Sequence, residues 1–273
     1  MIRRFVSRLL ALGVVSLGLA GCAGAILGTS PLGRTQMRLI PAAQMDALGA
    51  EAYAQIKQQL PQSSDERANR VVRCVSRAVV AQARGPAAPR SWEVTVFEND
   101  TPNAFALPGG KIGVHTGLLK VARDPSELAT VIGHEVAHVL AQHGNERAST
   151  AFATQKGLEL IESLSGPASP GRSQLLAVLG LGAQVGITLP FGRTQEREAD
   201  LMGLDLMADA GFDPRASVAL WQNMARAGGG APPEFLSTHP AHGTRIRELE
   251  ARIPAALQRA DAAHGAGRRP RCS

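Results

Sequence analysis

The stretch His134-Glu135-Val136-Ala137-His138 lies inside Pro125–Gln142, a run that the sequence predicts to form one helix. Because 3.6 residues complete a helical turn, residues four apart leave the same face. His134 and His138 would therefore point the same way, and two neutral imidazoles at this spacing can bind one zinc ion. Glu135 would lie beside that ion, placed to take a proton from an attacking water.

The sequence also marks the ends of this helix. Asp124 is a capping residue, Pro125 takes the first helical position, Glu127 puts an acid in the first turn, and Gly144 is the predicted stop. An ordinary amphipathic helix that carries two histidines by chance would show the same pattern. The motif alone therefore does not establish a metal site.

Composition favours one globular domain and argues against a nucleic-acid-binding protein. The chain has 273 residues, of which 44% are hydrophobic and 4% aromatic, and its formal net charge is +6. Three of the basic residues, Arg3, Arg4 and Arg8, lie in a segment that we expect to be removed. Since no basic run is interleaved with aromatic residues, nucleic acid is not an expected partner.

The N-terminus has the pattern of a bacterial lipoprotein signal. A basic region precedes Leu9–Ala20, an apolar run that is too short to span a bilayer and ends in small residues. Leu19-Ala20-Gly21-Cys22 resembles the bacterial lipobox. That resemblance implies a signal peptide over 1–21 and acyl chains on Cys22, which would anchor the protein to the periplasmic face of the outer membrane. A cleaved signal with an unmodified cysteine, or an uncleaved anchor, is the alternative.

The mature chain is predicted to comprise a tether over 22–40, a folded domain over 41–253 and a disordered basic tail over 254–273. Two cysteines remain after Cys22. In an oxidising compartment Cys74 and Cys272 could form a disulfide, and two free thiols are the open alternative.

A small sheet is predicted before the zinc helix. Trp92–Phe97, Asn103–Leu107 and Lys111–His115 have the composition of strands. An exposed edge of such a sheet could pair with an extended peptide and lay it across the metal, although a purely structural hairpin fits the pattern equally well. The candidate edge comprises Ile112, Gly113, Val114 and His115.

Further along the chain, Leu175–Phe191 is apolar and uncharged, and we expect a buried helix or a lid over the site. A catalytic zinc usually has a third protein ligand. In Glu196-Arg197-Glu198-Ala199-Asp200, the first and last carboxylates share a helical face, as a zinc ligand and a group that orients a ligating imidazole would require. A solvated helix start is the alternative for this stretch, and Glu159 and Glu162 are alternative ligands.

Together these motifs resemble the zinc metallopeptidases of the CAAX prenyl protease, HtpX and BepA type. The resemblance covers Gln44–Ile253. It includes Asn103–Gly110, similar to a hairpin before the zinc helix, and Ser237-Thr238-His239-Pro240 with Arg245-Ile246, similar to a C-terminal active-site segment. It implies an α+β, mostly helical fold, a zincin-like metallopeptidase domain with a small β-sheet next to the HExxH helix.

The resemblance also implies a role for each site residue. His134, His138 and Glu196 would bind one zinc ion per chain, Glu135 would be the general base, and Asp200 would orient a ligand.

The resemblance leaves other roles open. His239 would either approach the metal in a latent enzyme or donate to the transition state. Arg245 would orient this loop, help stabilise an oxyanion or form a structural salt bridge. Glu198 is expected to point away from the metal, and His143 is not expected to be a ligand.

The chain lacks the membrane-spanning core of the prenyl proteases and the repeats of BepA, so its closest architecture is that of the short LoiP-like bacterial lipoproteins. This resemblance implies a lipid-anchored periplasmic endopeptidase that cleaves unfolded or misassembled envelope proteins. The alternative is a latent or non-hydrolytic chaperone or assembly factor that retains the zinc site. The sequence does not predict the physiological substrate or the oligomeric state.

Overall fold

The computed structural model describes residues 27–153, 191–227, 235, 239 and 243–273. The predicted signal peptide, Cys22, Glu159, Glu162 and all of the apolar segment except Phe191 lie outside the described residues.

The described part of the chain is mostly helical, as expected, and contains two small sheets, one of which is the expected sheet before the predicted zinc helix. Among these residues, no helix combines the length and the apolar composition needed to cross a membrane. The helices are α1 (Ala42–Gln59), α2 (Glu66–Val80), α3 (Pro125–Leu140), α4 (His143–Ala153), α5 (Arg193–Asp209), α6 (Ala216–Ala227) and α7 (Gly243–Gly265).

The first sheet is an N-terminal hairpin, in which β1 (Leu27–Thr29) pairs with antiparallel β2 (Thr35–Met37). Ser30 and Gln36 of this hairpin are buried. Gln36 donates a hydrogen bond of 2.9 Å to the carbonyl oxygen of Ala141, just after α3. The prediction of a tether up to residue 40 is therefore wrong for its described part, because these polar side chains dock the hairpin on the domain.

The second sheet has the strand order β3-β5-β4, with β3 at Glu93–Phe97, β4 at Ala104–Leu107 and β5 at Lys111–His115. β5 runs parallel to β3 and antiparallel to β4. The predicted edge, Ile112, Gly113, Val114 and His115, is therefore the central strand, paired on both sides, and β4 forms the edge next to α3. Strand composition did not reveal this order, because it carries no information about which neighbours pair.

Helix α3 lies at the centre of the molecule. Asp124 caps it, its carboxylate accepting hydrogen bonds from the backbone of Ser126 and Glu127 at 2.7 and 2.9 Å. Every residue from Glu127 to Leu140 is buried. The helix ends before its predicted stop, because Gln142 adopts a positive φ of 53° that turns the chain into α4.

Helices α3 and α5 approach each other backbone to backbone. A Cβ atom on Gly203 would lie 2.7 Å from the backbone nitrogen of His134, and a Cβ on Gly133 would lie 2.7 Å from the carbonyl oxygen of Gly203. Only glycine permits this approach, which brings the acidic residues of α5 to the histidines of α3.

The C-terminal region is folded. Helix α7 continues through Pro254 to Gly265, and Ala256, Ala260 and Ala263 are buried on it. Cys272 is also buried and forms a disulfide with Cys74 of α2, with 5.5 Å between the Cα atoms. The prediction of a disordered tail from residue 254 is therefore wrong, since small apolar side chains at helical spacing pack this segment onto the core.

Candidate metal centre

Four buried side chains meet above the middle of α3. His134 and His138 come from α3, Glu196 from α5, and His239 from a separate segment, and one potential ligand atom from each lies within 4.8 Å of the others. The Nε2 atoms of His134 and His138 are 3.0 Å apart. The Glu196 carboxylate oxygens lie 3.6 Å from the first of these nitrogens and 3.5 Å from the second.

This donor set suits zinc. Zinc is bound by imidazole nitrogens and carboxylate oxygens at about 2.0–2.1 Å in a tetrahedron, which places neighbouring ligand atoms about 3.3 Å apart. The separations of 3.0 to 3.6 Å match that spacing. Burial lowers the pKa of His138 well below its usual range, which keeps the ring in the neutral form that metals bind.

His239 enters the same cluster. Its Nδ1 lies 3.1 Å from His134 Nε2 and 2.9 Å from a Glu196 oxygen, and its Nε2 lies 3.3 Å from a Glu135 oxygen. Phe235 stacks on its ring with 4.5 Å between centroids. The imidazole therefore stands where a fourth ligand or a substrate group would stand.

Glu135 is buried beside the cluster and does not belong to it. Burial raises the pKa of its carboxyl group, which makes the carboxylate a stronger base than an exposed one. One of its oxygens accepts a hydrogen bond of 3.3 Å from the backbone nitrogen of Ala106 in β4. The base thus lies between the histidines and the edge of the sheet.

Asp200 and Arg245 support the cluster from behind. Asp200 Oδ1 lies 3.0 Å from His134 Nδ1, the ring nitrogen that faces away from the other ligand atoms. Arg245 donates two hydrogen bonds of 2.6 and 2.7 Å to this carboxylate and lies 2.7 Å from a Glu196 oxygen. Burial raises the pKa of Asp200, but the hydrogen bonds from Arg245 and His134 outweigh burial and lower it. Arg245 therefore forms an ion pair with both acidic residues.

Sequence reasoning missed a second buried group behind the cluster. Glu198 points away from the cluster, as expected, but into the protein, where it lies 3.1 Å from His143 Nε2. Burial raises the pKa of Glu198, while hydrogen bonds from His143, Ser30 and Arg34 lower it to about 2. His143 in turn lies 2.9 Å from His138. The contact depends on the turn at Gln142, for which the sequence carries no signal.

A groove of about 720 Å³ opens beside the cluster. Ala106 and Pro108 of the sheet edge line one part of it, and His138, Gln142 and Phe191 line another. The groove therefore extends from the edge strand β4 to His138 of the cluster.

Residues 65–253 match the family described as Peptidase family M48. The chain belongs to peptidase family M48. Its enzyme class, a metallopeptidase, follows from that membership.

Relatives of this M48 chain come from mitochondria and bacteria. It is 40% identical over 167 residues to the mitochondrial metalloendopeptidase OMA1 of Schizosaccharomyces pombe, covering 60% of this chain and 48% of the relative. It is 36% identical over 248 residues to OMA1 of Danio rerio, covering 85% and 51%. It is 30% identical over 214 residues to the beta-barrel assembly-enhancing protease of Yersinia pestis, covering 76% and 43%. The M48 chain spans about half the length of the curated relatives it matches.

Proposed function

We propose that this chain is a zinc-dependent endopeptidase in which His134, His138 and Glu196 hold one zinc ion and Glu135 is the general base. The observation that carries the proposal is the buried convergence of these ligand atoms within 4.8 Å, with Glu135 between them and the sheet edge. A pure binding protein would need no base at this place, so the intact Glu135 favours hydrolysis.

Zinc, when bound, supplies a Lewis acid that lowers the pKa of water and polarises a carbonyl group. The chain's own residues do the rest. The Glu135 carboxylate accepts the proton of the attacking water and delivers it to the amine that leaves. Asp200 holds the His134 ring from behind, and Arg245 balances the charge of Asp200 and Glu196.

The substrate in this proposal is an unfolded or extended segment of polypeptide. β4 is the edge of its sheet among the described residues and borders the groove, so an extended chain can pair with its outer side, where the Ala106 N–H contacts the Glu135 carboxylate. Such pairing recognises backbone more than side chains, which suits a peptidase that acts on many sequences. We therefore assign to β4 the pairing with an extended peptide that the sequence predicted for Ile112–His115.

We further propose that this protein is a short LoiP-like lipoprotein, anchored through Cys22 at the periplasmic face of the outer membrane. Its proposed role is to cleave misassembled envelope proteins. The lipobox-like Leu19-Ala20-Gly21-Cys22 supports the anchor. The similarity to a protease named for β-barrel assembly supports the quality-control role, while the OMA1 relatives are mitochondrial proteins.

The second candidate is a latent form of the same enzyme. The observation that favours it is the position of His239, whose Nδ1 lies 3.1 Å from His134 Nε2 and 2.9 Å from Glu196. In this form the imidazole takes the position that the attacking water needs, and His239 must move before hydrolysis can begin.

The decisive experiment measures casein cleavage and zinc content together in the chain from residue 23 onward. We expect one zinc per chain, and we expect Glu135→Gln to abolish cleavage while retaining the zinc. A zinc-loaded but inactive protein that gains activity with His239→Ala identifies the latent form. Absence of zinc and of cleavage in every variant contradicts the peptidase and favours the chaperone.

A further inference from the structure

The Nδ1 atoms of the two histidines of α3, His134 and His138, contact different kinds of group. His134 contacts a carboxylate directly, because Asp200 Oδ1 lies 3.0 Å from its Nδ1. His138 contacts another imidazole instead, with 2.9 Å between its Nδ1 and that of His143. The far nitrogen of His143 then lies 3.1 Å from Glu198. Two contacts in series, His138 to His143 and His143 to Glu198, thus take the place of the single contact between His134 and Asp200.

The donor and acceptor roles in this series of hydrogen bonds are determined at both of its ends, His138 and Glu198. The Nε2 atom of His138 faces the other ligands, so its Nδ1 carries the proton when the ring binds a metal. That N–H donates to His143 Nδ1, and the protonated Nε2 of His143 donates to Glu198, which is a carboxylate and accepts. Each ring is thereby held in one tautomer and one orientation.

The N-terminal hairpin holds Glu198, the last group in this series of hydrogen bonds. Arg34 donates two hydrogen bonds of 2.9 and 2.7 Å to Glu198 Oε2, and Ser30 donates to the other oxygen. Arg34 also pairs with Glu146 of α4. Residues 27–37 precede the segment that matches the family, which begins at residue 65, so this support lies outside the matched peptidase region.

The two supports are alike in chemistry. In each, a carboxylate of α5 contacts both an imidazole and an arginine. The arginine is Arg245 for Asp200 and Arg34 for Glu198. His143 and Glu198 are both almost fully buried, with 0% and 3% of their surface exposed. Polar groups of this kind are costly to bury unless each finds its partner, and here each does.

We propose that His143 and Glu198 are positioning residues that orient the zinc ligand His138, and that Ser30 and Arg34 of the N-terminal hairpin hold them in place. The inference rests on the proposed zinc site. Groups that orient a ligating imidazole typically change metal affinity 10- to 100-fold when they are removed. The hairpin that follows the proposed lipid anchor thus contributes to how tightly the metal is bound.

The test measures the zinc dissociation constant of the full chain, purified in detergent, by competition with a chelator of known affinity. His143→Leu removes the acceptor for His138, whereas His143→Asn places an oxygen near the position of the lost Nδ1. We expect the leucine variant to bind zinc about 10- to 100-fold more weakly and the asparagine variant to recover part of the loss.

The hairpin is tested with Arg34→Met. Its matched control is Arg197→Met on α5, which removes a 3.0 Å ion pair between the Arg197 side chain and Glu248. We expect the first variant to weaken zinc binding and the second to leave it unchanged, while the zinc-free proteins keep the same circular dichroism spectrum.

Different results separate this inference from the proposed function. If the unaltered chain binds no zinc, the proposed function itself is overturned. If it binds one zinc and His143→Leu and Arg34→Met bind it equally tightly, or if Arg34→Met weakens it no more than Arg197→Met does, the positioning role alone is overturned. A purely structural role would lower the stability of the zinc-free protein and leave the affinity unchanged.

Discussion

At the scale of single residues, Tyr53 shows how burial changes the chemistry of a side chain outside the metal site. It is the only tyrosine of the chain and is 1% exposed. Its hydroxyl donates a 2.9 Å hydrogen bond to the carbonyl oxygen of Ile112 and lies 2.7 Å from the hydroxyl oxygen of Thr95. Burial raises the pKa of Tyr53 to about 12.

Alkaline titration of the phenolate absorbance tests this environment. An unfolded tyrosine has a pKa of about 10, so the folded protein holds its proton more tightly. The contribution to stability is complete below the unfolded pKa and is lost as the pH rises towards the folded pKa. We expect a midpoint about two units higher in the folded protein than in urea, and Tyr53→Phe should remove the signal. A folded midpoint near 10 would contradict the burial of the Tyr53 hydroxyl group.

How much of the site could be predicted from the sequence depended on how far apart its residues lie along the chain. His134 and His138 were predicted to share a helical face from their spacing, whereas the roles of Glu196 and Asp200 came from the family resemblance. Arg34 could not be found in this way, since it lies 164 residues from its partner Glu198 and nothing in either local sequence connects them.

At the scale of elements, the close approach of α3 and α5 depends on Gly133 and Gly203. We expect Gly203→Ala to push the helices apart, because the new Cβ would meet the backbone of His134 at 2.7 Å. Overpacking of this kind costs about 1–3 kcal/mol of unfolding free energy. Zinc affinity should fall as well, because Glu196 moves with α5. Urea unfolding and zinc competition measure the two effects.

Gly265→Ala at the end of α7 is the matched control, since a Cβ there meets nothing within 4 Å. Its unfolding free energy and zinc affinity should match those of the unaltered protein. Equal behaviour of the two alanine variants would mean that α3 and α5 have room to spare.

Elements were predicted well where local chemistry defines them. The cap at Asp124 located the start of α3, and Lys111–His115 is the strand that its composition predicted. The strand order, the turn at Gln142 and the docking of β2 depend instead on contacts between distant parts of the chain. Local patterns contain no information about such contacts.

At the scale of the whole molecule, the disulfide joins Cys74 and Cys272, which are 198 positions apart in the sequence. In the chain-entropy account, a cross-link over so long a loop restricts the unfolded chain, and loss of a native disulfide typically costs about 2–5 kcal/mol. We expect Cys74→Ala with Cys272→Ala to unfold at a lower urea concentration by a comparable free energy.

A reductant provides the control for this prediction. It should lower the unfolding midpoint of the unaltered chain to that of the double variant and leave the double variant unchanged. An unaltered midpoint in the double variant would show that α7 holds the tail without help. The sequence left this pairing open, because two cysteines reveal neither the distance between them nor the redox conditions in which they fold.

The burial of α3 on every side from Glu127 to Leu140 has a consequence for the exchange of its amide hydrogens with solvent. A helix at the surface exchanges by local fraying, but one enclosed by the rest of the domain exchanges only when much of the domain opens. The amides of His134 and His138, the proposed zinc ligands, should therefore be among the slowest in the molecule. Deuterium uptake at this helix would report the global opening of the protein, so the backbone that carries the proposed zinc ligands would open only when the fold does.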